Sequence, residues 1–111
     1  MTLFAIVGFG WITVFAFQEY VDQEEVQCLA KNLYFEARNE STAGQIAVLQ
    51  TTINRVGSPL FPDTVCSVVY EGMHVRGNPV RDGCQFSWYC DGISDYPRNK
   101  GAFMRSKEIA N

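Results

Sequence analysis

The sequence predicts a single, helix-dominated α+β domain, and three observations support this. The chain has 111 residues, which leaves room for one hydrophobic core. Apolar residues recur at three- and four-residue steps along two long segments, as in amphipathic helices. Residues 84–90 are rich in aromatic side chains and precede an Asp-Gly turn, which favours one short strand or hairpin arm.

The first helix is predicted to begin at Asp22, which forms a capping box with Glu25. Its core-facing stripe consists of Val26, Leu29, Ala30, Leu33 and Ala37. The second helix is predicted to begin with a capping box of Thr42 and Gln45 and to end at Gly57. Its stripe consists of Ile46, Leu49, Ile53 and Val56.

The rest of the chain is predicted to contain shorter elements. Residues 62–64 start a short helix that ends before Gly72, and residues 72–83 are predicted to be a long surface loop. A final helix begins near Arg98 and turns part of its surface to the core. The core residues predicted for these two helices are Val65, Val68, Val69, Ala102, Phe103, Ile109 and Ala110.

The first 18 residues carry no charge, and residues 3–17 are apolar apart from Thr13 and two glycines. This stretch matches a secretory h-region of about 7 to 15 residues and is shorter than the ~20 residues of a membrane span. We therefore expect residues 1–18 to be a signal anchor or a signal peptide, with a core helix as the alternative. The domain then covers residues 19–111 and is exported, either anchored to the membrane or released into the periplasm or cell envelope.

The even number of cysteines in such a chain predicts one or two disulfides. Cys28, Cys66, Cys84 and Cys90 allow three full pairings, and the sequence does not choose among them; reduced, buried cysteines are the alternative. The spacing of the last three cysteines and His74 matches no usual zinc motif, and no context supports a Cys-His nucleophile pair. No metal and no cofactor is predicted.

The charge balance is unfavourable for nucleic acid as a partner. The formal net charge is −3, and no dense run of Lys or Arg is present. The counterion release that drives binding to nucleic-acid backbones would therefore be weak.

Glu36 is the candidate general acid. It lies beside the apolar stripe of the first helix and is flanked by Tyr34 and Phe35. Desolvation there would raise its pKa and keep a proton available. Spacing alone favours an exposed surface glutamate, because most helical glutamates are exposed.

A second candidate cluster combines polar and aromatic side chains. Gln85, Ser87 and Trp88 form a mixture typical of sugar-binding surfaces, where rings stack on C–H faces and polar groups bond to hydroxyls. A core strand explains the same pattern equally well. Asn54 and Arg55 end the second helix, where ordinary capping and terminal charge explain them.

Five blocks in order resemble the SleB-like cell wall hydrolases, which are spore cortex-lytic enzymes and their bacterial and phage relatives. The resemblance covers residues 27–111. The blocks read CLAKNLYFEAR from Cys28, GQIAV from Gly44, NRV from Asn54, SPxFPDTVCxVVY from Ser58 and CQFSWxCDG from Cys84.

The resemblance implies a lysozyme-like fold and cleavage of peptidoglycan glycan strands between N-acetylmuramic acid and N-acetylglucosamine. The enzymes usually act as lytic transglycosylases, and their catalytic glutamate corresponds to Glu36. One carboxylate suffices for this reaction, whereas other glycosidases need two at a defined separation. The residues expected to bind substrate are Gln85, Ser87, Trp88, Tyr34 and Asn54.

Two positions depart from the family pattern. Asn39 stands where the family commonly has Gly, although Asn tolerates a left-handed backbone. The chain also stops at Asn111, whereas similar domains continue, so one wall of the groove is expected to be missing. A truncated protein, a groove completed by a neighbouring chain, and reduced or lost activity remain open. The alternative functions are a catalytically silent peptidoglycan-binding module and a hydrolase of the peptide stems.

Overall fold

A computed structural model describes residues 22–111 as a mainly helical domain with a small sheet. The predicted signal segment, residues 1–18, lies outside the described residues. The order of elements is α1 (Gln23–Ala37), α2 (Thr42–Val56), α3 (Val65–Val69), β1 (Gly72–Val75), β2 (Asn78–Cys84), a 3₁₀ helix (Ser87–Cys90) and α4 (Lys100–Ala110). Within this range no helix is long and apolar enough to cross a membrane.

Helix α1 is the central element and contacts α2, α3 and α4. Its five predicted stripe residues are all buried, which confirms the predicted face. Asp22 caps the helix by accepting a hydrogen bond from the Glu24 backbone N–H at 3.0 Å. The predicted capping box is wrong in one respect, because a Glu25 carboxylate oxygen accepts from the Cys66 N–H at 2.9 Å. Glu25 thus joins α1 to α3.

Helix α2 has the predicted length but a different orientation. The predicted capping box of Thr42 and Gln45 is wrong, because the N-cap is Ser41, which accepts from the Gly44 N–H. The buried residues of α2 are Gln45 and Thr52. Ile46 and Ile53, predicted to face the core, are each 43% exposed. The stripe prediction is therefore wrong for these two residues.

Hydrogen bonds to α1 explain the orientation of α2. The Gln45 side-chain amide donates to the Ala37 carbonyl at 3.2 Å, which satisfies a backbone group at the end of α1. The Thr52 hydroxyl accepts from the Asn32 side-chain amide at 3.1 Å. Both contacts are buried, where an unpaired polar group would cost about 1–3 kcal/mol.

The predicted surface loop over residues 72–83 is wrong, because this segment forms an antiparallel hairpin. Arg76 and Gly77 make its two-residue turn with φ values of 54° and 80°, the left-handed pair that matches strand twist in hairpins. The hairpin is mostly exposed, so the alternating apolar pattern that would have identified it is absent.

The aromatic segment after β2 is compact. Ser87–Cys90 is a 3₁₀ helix, so the prediction of a strand or hairpin arm is wrong beyond Cys84. Burial still alternates, since Phe86 and Trp88 are buried while Gln85 and Ser87 are exposed. Phe86 and Trp88 pack with Val68 and Val69 of α3, as predicted for those valines.

Two disulfides, Cys28–Cys66 and Cys84–Cys90, pair all four cysteines, as one of the three open pairings. The first joins α1 to α3, and the second links the end of β2 to the 3₁₀ helix. This pairing leaves no free thiolate among Cys66, Cys84 and Cys90, so these cysteines and His74 do not form a zinc site.

The final helix, α4, begins two residues after the predicted start. The Asn99 side chain caps it by accepting from the Ala102 N–H at 3.0 Å. Asn39, which replaces the family's usual Gly, is not among the described non-glycine residues with positive φ. The turn after α1 therefore does not require glycine.

Candidate active site

Glu36 lies on the last turn of α1 at the edge of a cavity of about 270 Å³. Ala47, Val48 and Thr51 of α2 form one wall, and Phe86 forms another part of the lining. Among the described residues that line this cavity, Glu36 is the only carboxylate. The side chain is exposed, as its spacing on the helix alone predicted, so a ligand in the cavity can reach it.

Two opposing effects set the acidity of Glu36. Partial burial raises its pKa by disfavouring the charged carboxylate, and the positive charge of Arg55 lowers it by a smaller amount. The net direction is upward. A larger fraction of Glu36 is therefore protonated at a given pH than for a fully solvated glutamate, which suits a proton donor.

Arg55, on the last turn of α2, is held beside the site by aromatic rings. Its guanidinium carbon lies 4.9 Å from the Phe86 ring centroid and 5.3 Å from that of Phe61. One guanidinium nitrogen, Nη1, is buried without a hydrogen-bond partner among the described residues. The sequence interpretation of Arg55 as ordinary helix-terminal charge missed this electrostatic role, since its rings come from distant segments.

A buried hydrogen-bond chain fixes the frame around Glu36. The Trp88 ring N–H donates to the Asn32 side-chain oxygen at 2.9 Å, and the Asn32 amide donates to the Thr52 hydroxyl at 3.1 Å. Thr52 in turn donates to the Val48 carbonyl at 3.0 Å. Asn32 lies one turn before Glu36 on the same face of α1. The chain therefore sets the position of Glu36 relative to α2 and the 3₁₀ helix.

Two of the residues predicted to bind substrate are interior residues. Trp88 is 6% exposed, and its ring stacks on Phe35 with centroids 4.7 Å apart. Tyr34 is 4% exposed, and its hydroxyl accepts from the Asn99 backbone N–H at 3.0 Å. Direct binding by these two rings does not fit their burial; both support the surface from beneath.

The other predicted binding residues are exposed but do not line the cavity. Gln85 and Ser87 flank Phe86, and Asn54 precedes Arg55. Within the aromatic block, residues 84–90, only Phe86 lines the same cavity as Glu36. Sequence reasoning did not select Phe86 as a site residue, although its place between two exposed polar residues was a usable signal.

Comparison with known proteins places the chain in a family. The model of the Cell Wall Hydrolase family matches residues 39–111, well over half of the chain. The chain belongs to this family. The matched segment contains α2, the hairpin and the aromatic block, and it starts three residues after Glu36.

The curated relatives that match this cell wall hydrolase family member are named spore cortex-lytic enzymes. The one from Oceanobacillus iheyensis is 47% identical over 49 residues, which cover 44% of this chain and 18% of that protein. The Halalkalibacterium halodurans protein is 45% identical over 47 residues, 42% of this chain and 14% of the relative. The Bacillus subtilis protein is 43% identical over 47 residues, 42% of this chain and 15% of the relative.

The alignments thus span less than a fifth of the length of these relatives. No solved structure matches the chain.

Proposed function

We propose that this chain degrades peptidoglycan by cutting its glycan strands between N-acetylmuramic acid and N-acetylglucosamine, as a lytic transglycosylase with a lysozyme-like fold. The observation that carries the proposal is the position of Glu36, a carboxyl group of raised pKa at the edge of a cavity. Membership in the Cell Wall Hydrolase family supports the choice of polymer.

Glu36 performs both proton transfers in this mechanism. The protonated carboxyl donates its proton to the glycosidic oxygen, and the bond from that oxygen to the muramic C1 breaks. The muramic C6 hydroxyl then attacks C1, and Glu36 accepts the hydroxyl proton as the 1,6-anhydro ring closes. The acid is regenerated without water, so the mechanism needs no second carboxylate, in agreement with the single carboxylate among the cavity-lining residues.

The cavity walls suit a sugar ring. Ala47, Val48 and Phe86 offer apolar surface to C–H groups, and the Thr51 hydroxyl offers a polar partner. In our proposal Gln85, Ser87 and Asn54 contact more distant parts of the glycan strand, while Tyr34 and Trp88 position the site from within.

The same proposal includes export of the chain. Disulfides form and persist in oxidising compartments, and both cysteine pairs are bonded. Residues 1–18 serve as the signal peptide or membrane anchor in this scheme, and residues 19–111 act on the cell envelope.

The test is digestion of peptidoglycan by wild type and Glu36→Gln, with products identified by mass spectrometry. We expect anhydro-muropeptides from wild type and a rate at least about 100-fold lower for Glu36→Gln, because general acid catalysis contributes 10²–10⁴-fold. Glu40→Gln is the matched control, since Glu40 is an exposed glutamate one turn away that does not line the cavity.

Equal product yields from wild type and Glu36→Gln would refute the assignment of Glu36. Products with reducing ends in place of anhydro rings would show hydrolysis by water and correct the subtype. Free amines without cut glycan strands would instead identify a hydrolase of the peptide stems.

A second candidate is binding to peptidoglycan without cleavage. The observation that favours it is the exposure of Glu36 beside the Arg55 charge, since both favour the ionised form that cannot donate a proton. In that case wild type is retained on insoluble peptidoglycan but releases no muropeptides.

A further inference from the structure

A second cavity, of about 280 Å³, lies at the same end of α1. Tyr34, Phe35 and Arg38 supply one side of its lining, and Ser94, Tyr96 and Arg98 supply the other. None of the predicted catalytic chemistry uses this cavity. Its lining contains two guanidinium groups and no carboxylate among the described residues, so the cavity is suited to an anion.

Tyr34 contacts the Arg38 side chain and the backbone next to Arg98. The guanidinium carbon of Arg38 lies 4.7 Å from the centroid of the Tyr34 ring. The Tyr34 hydroxyl accepts a hydrogen bond from the backbone N–H of Asn99, the neighbour of Arg98. Tyr34 itself is buried, so it supports the Arg38 side chain rigidly and fixes the backbone beside Arg98, while both arginine side chains remain exposed. The two charges therefore face a ligand from two segments that are far apart in sequence.

The second cavity is close to the proposed catalytic site. Glu36 is on the last turn of α1 and Arg38 is its C-cap with helical backbone angles, so their side chains leave the helix axis about 200° apart. A helix with its side chains is about 10–12 Å wide. The two cavities therefore flank the end of one helix, within reach of neighbouring parts of one polymer.

We propose that the cavity between Arg38 and Arg98 binds a carboxylate of the peptide stem carried by muramic acid. This inference rests on the proposed function, because the stem branches from the glycan strand that Glu36 is proposed to cut. Guanidinium groups pair with carboxylates through two parallel hydrogen bonds, and the exposed Tyr96 ring offers surface to the peptide. The chain then prefers stem-bearing strands to bare glycan.

The experiment compares intact glycan strands with the same strands after an amidase has removed their stems and the lactyl carboxyl group freed on each muramic acid has been capped as a methylamide. Cleavage by the full chain is measured as the amount of soluble sugar released, and binding is measured by co-sedimentation. We expect wild type to prefer stem-bearing strands about tenfold, the size of one charge-assisted hydrogen bond. Arg38→Gln and Arg98→Gln are expected to lose this preference, while their activity on stripped strands stays at the wild-type level.

Arg76→Gln is the matched control, because it removes the same charge from the exposed tip of the hairpin. Arg98→Lys should keep part of the preference, since it keeps the charge but loses the planar pair of donors. Circular dichroism and thermal melting of each variant show whether it is folded.

Equal cleavage and equal binding of both strands by wild type would overturn the proposal, as would a preference that survives in both glutamine variants. A further arm adds poly(glycerol phosphate) as competitor; if it displaces the protein while stem removal has no effect, the cavity binds wall phosphates and the stem assignment is wrong. If wild type cuts neither strand, the proposed catalytic function fails, and the binding arm still decides the stem site.

Discussion

Helices α1 and α2 are both 15 residues long, but they differ in what they bury. Eight residues of α1 are buried, and most of these are apolar. Only two residues of α2 are buried, and both are polar. The comparison shows that an apolar stripe does not by itself tell which face of a helix is buried, since Ile46 and Ile53 of the α2 stripe are exposed and do not line the cavity.

The difference follows from position. Helix α1 contacts α2, α3 and α4 and is tied to α3 by Cys28–Cys66. Helix α2 is anchored to α1 through its two buried polar side chains, which leaves Ala47 and Val48 to line the cavity beside Glu36. One helix supplies the core and the acid, and the other supplies a wall and the Arg55 charge.

The largest expected effect is on stability, from truncating one stripe residue in each helix. Leu33→Ala removes a fully buried side chain of α1 and should lower the free energy of unfolding by about 2–5 kcal/mol. Ile53→Ala removes a side chain of α2 that is 43% exposed and should cost less than about 1 kcal/mol. Denaturant titration of both variants measures the difference. Similar losses would mean that α2 contributes to the core as much as α1.

The next largest effect is the loss of stability on removing each disulfide, which tests whether the fold depends most on α1. Cys28–Cys66 spans 38 residues and Cys84–Cys90 spans 6. Chain-entropy arguments give about 4 kcal/mol for the longer loop and about 2 kcal/mol for the shorter one. We therefore expect Cys28→Ala/Cys66→Ala to unfold at a lower denaturant concentration than Cys84→Ala/Cys90→Ala. The reverse order would show that the aromatic block, and not α1, depends more on its cross-link.

The smallest expected effect tests the electrostatic contribution of α2. A general acid must be protonated, so cleavage should decline as pH rises through the raised pKa of Glu36. The Arg55 charge lowers that pKa, so Arg55→Gln should raise it further and move the alkaline limb of the kcat/KM profile to higher pH. Arg55→Lys keeps the charge and should leave the limb near its wild-type position. A shift to lower pH in Arg55→Gln would contradict this role.

The sequence was a good guide wherever a local pattern decided the structure. The start of α1, its buried stripe and the short helix α3 were all predicted correctly, because capping and helical periodicity depend on neighbouring residues. The hairpin over residues 72–83 was missed because its exposed strands lack an apolar pattern. The family resemblance was confirmed by the match over residues 39–111.

The candidate site was likewise predicted in part from the sequence and missed in part. The sequence selected Glu36 together with Gln85, Ser87 and Trp88, but of that segment the structure brings only Phe86, which was not selected, to the cavity beside Glu36. It did not reveal that Trp88 would be an interior donor to Asn32, since a tryptophan beside polar residues fits a binding surface as well as a core. The roles of Glu36 and of the binding residues remain predictions that the digestion experiment tests.

By itself, the sequence determined where the main helices form and which family the chain belongs to, because both depend on residue order alone. The tertiary structure decided which face of α2 is buried, which cysteines pair, and which charges surround Glu36 and Tyr34. These features depend on distances between segments far apart in the chain, and such distances arise only when the buried polar groups of α1, α2 and the aromatic block have found their partners.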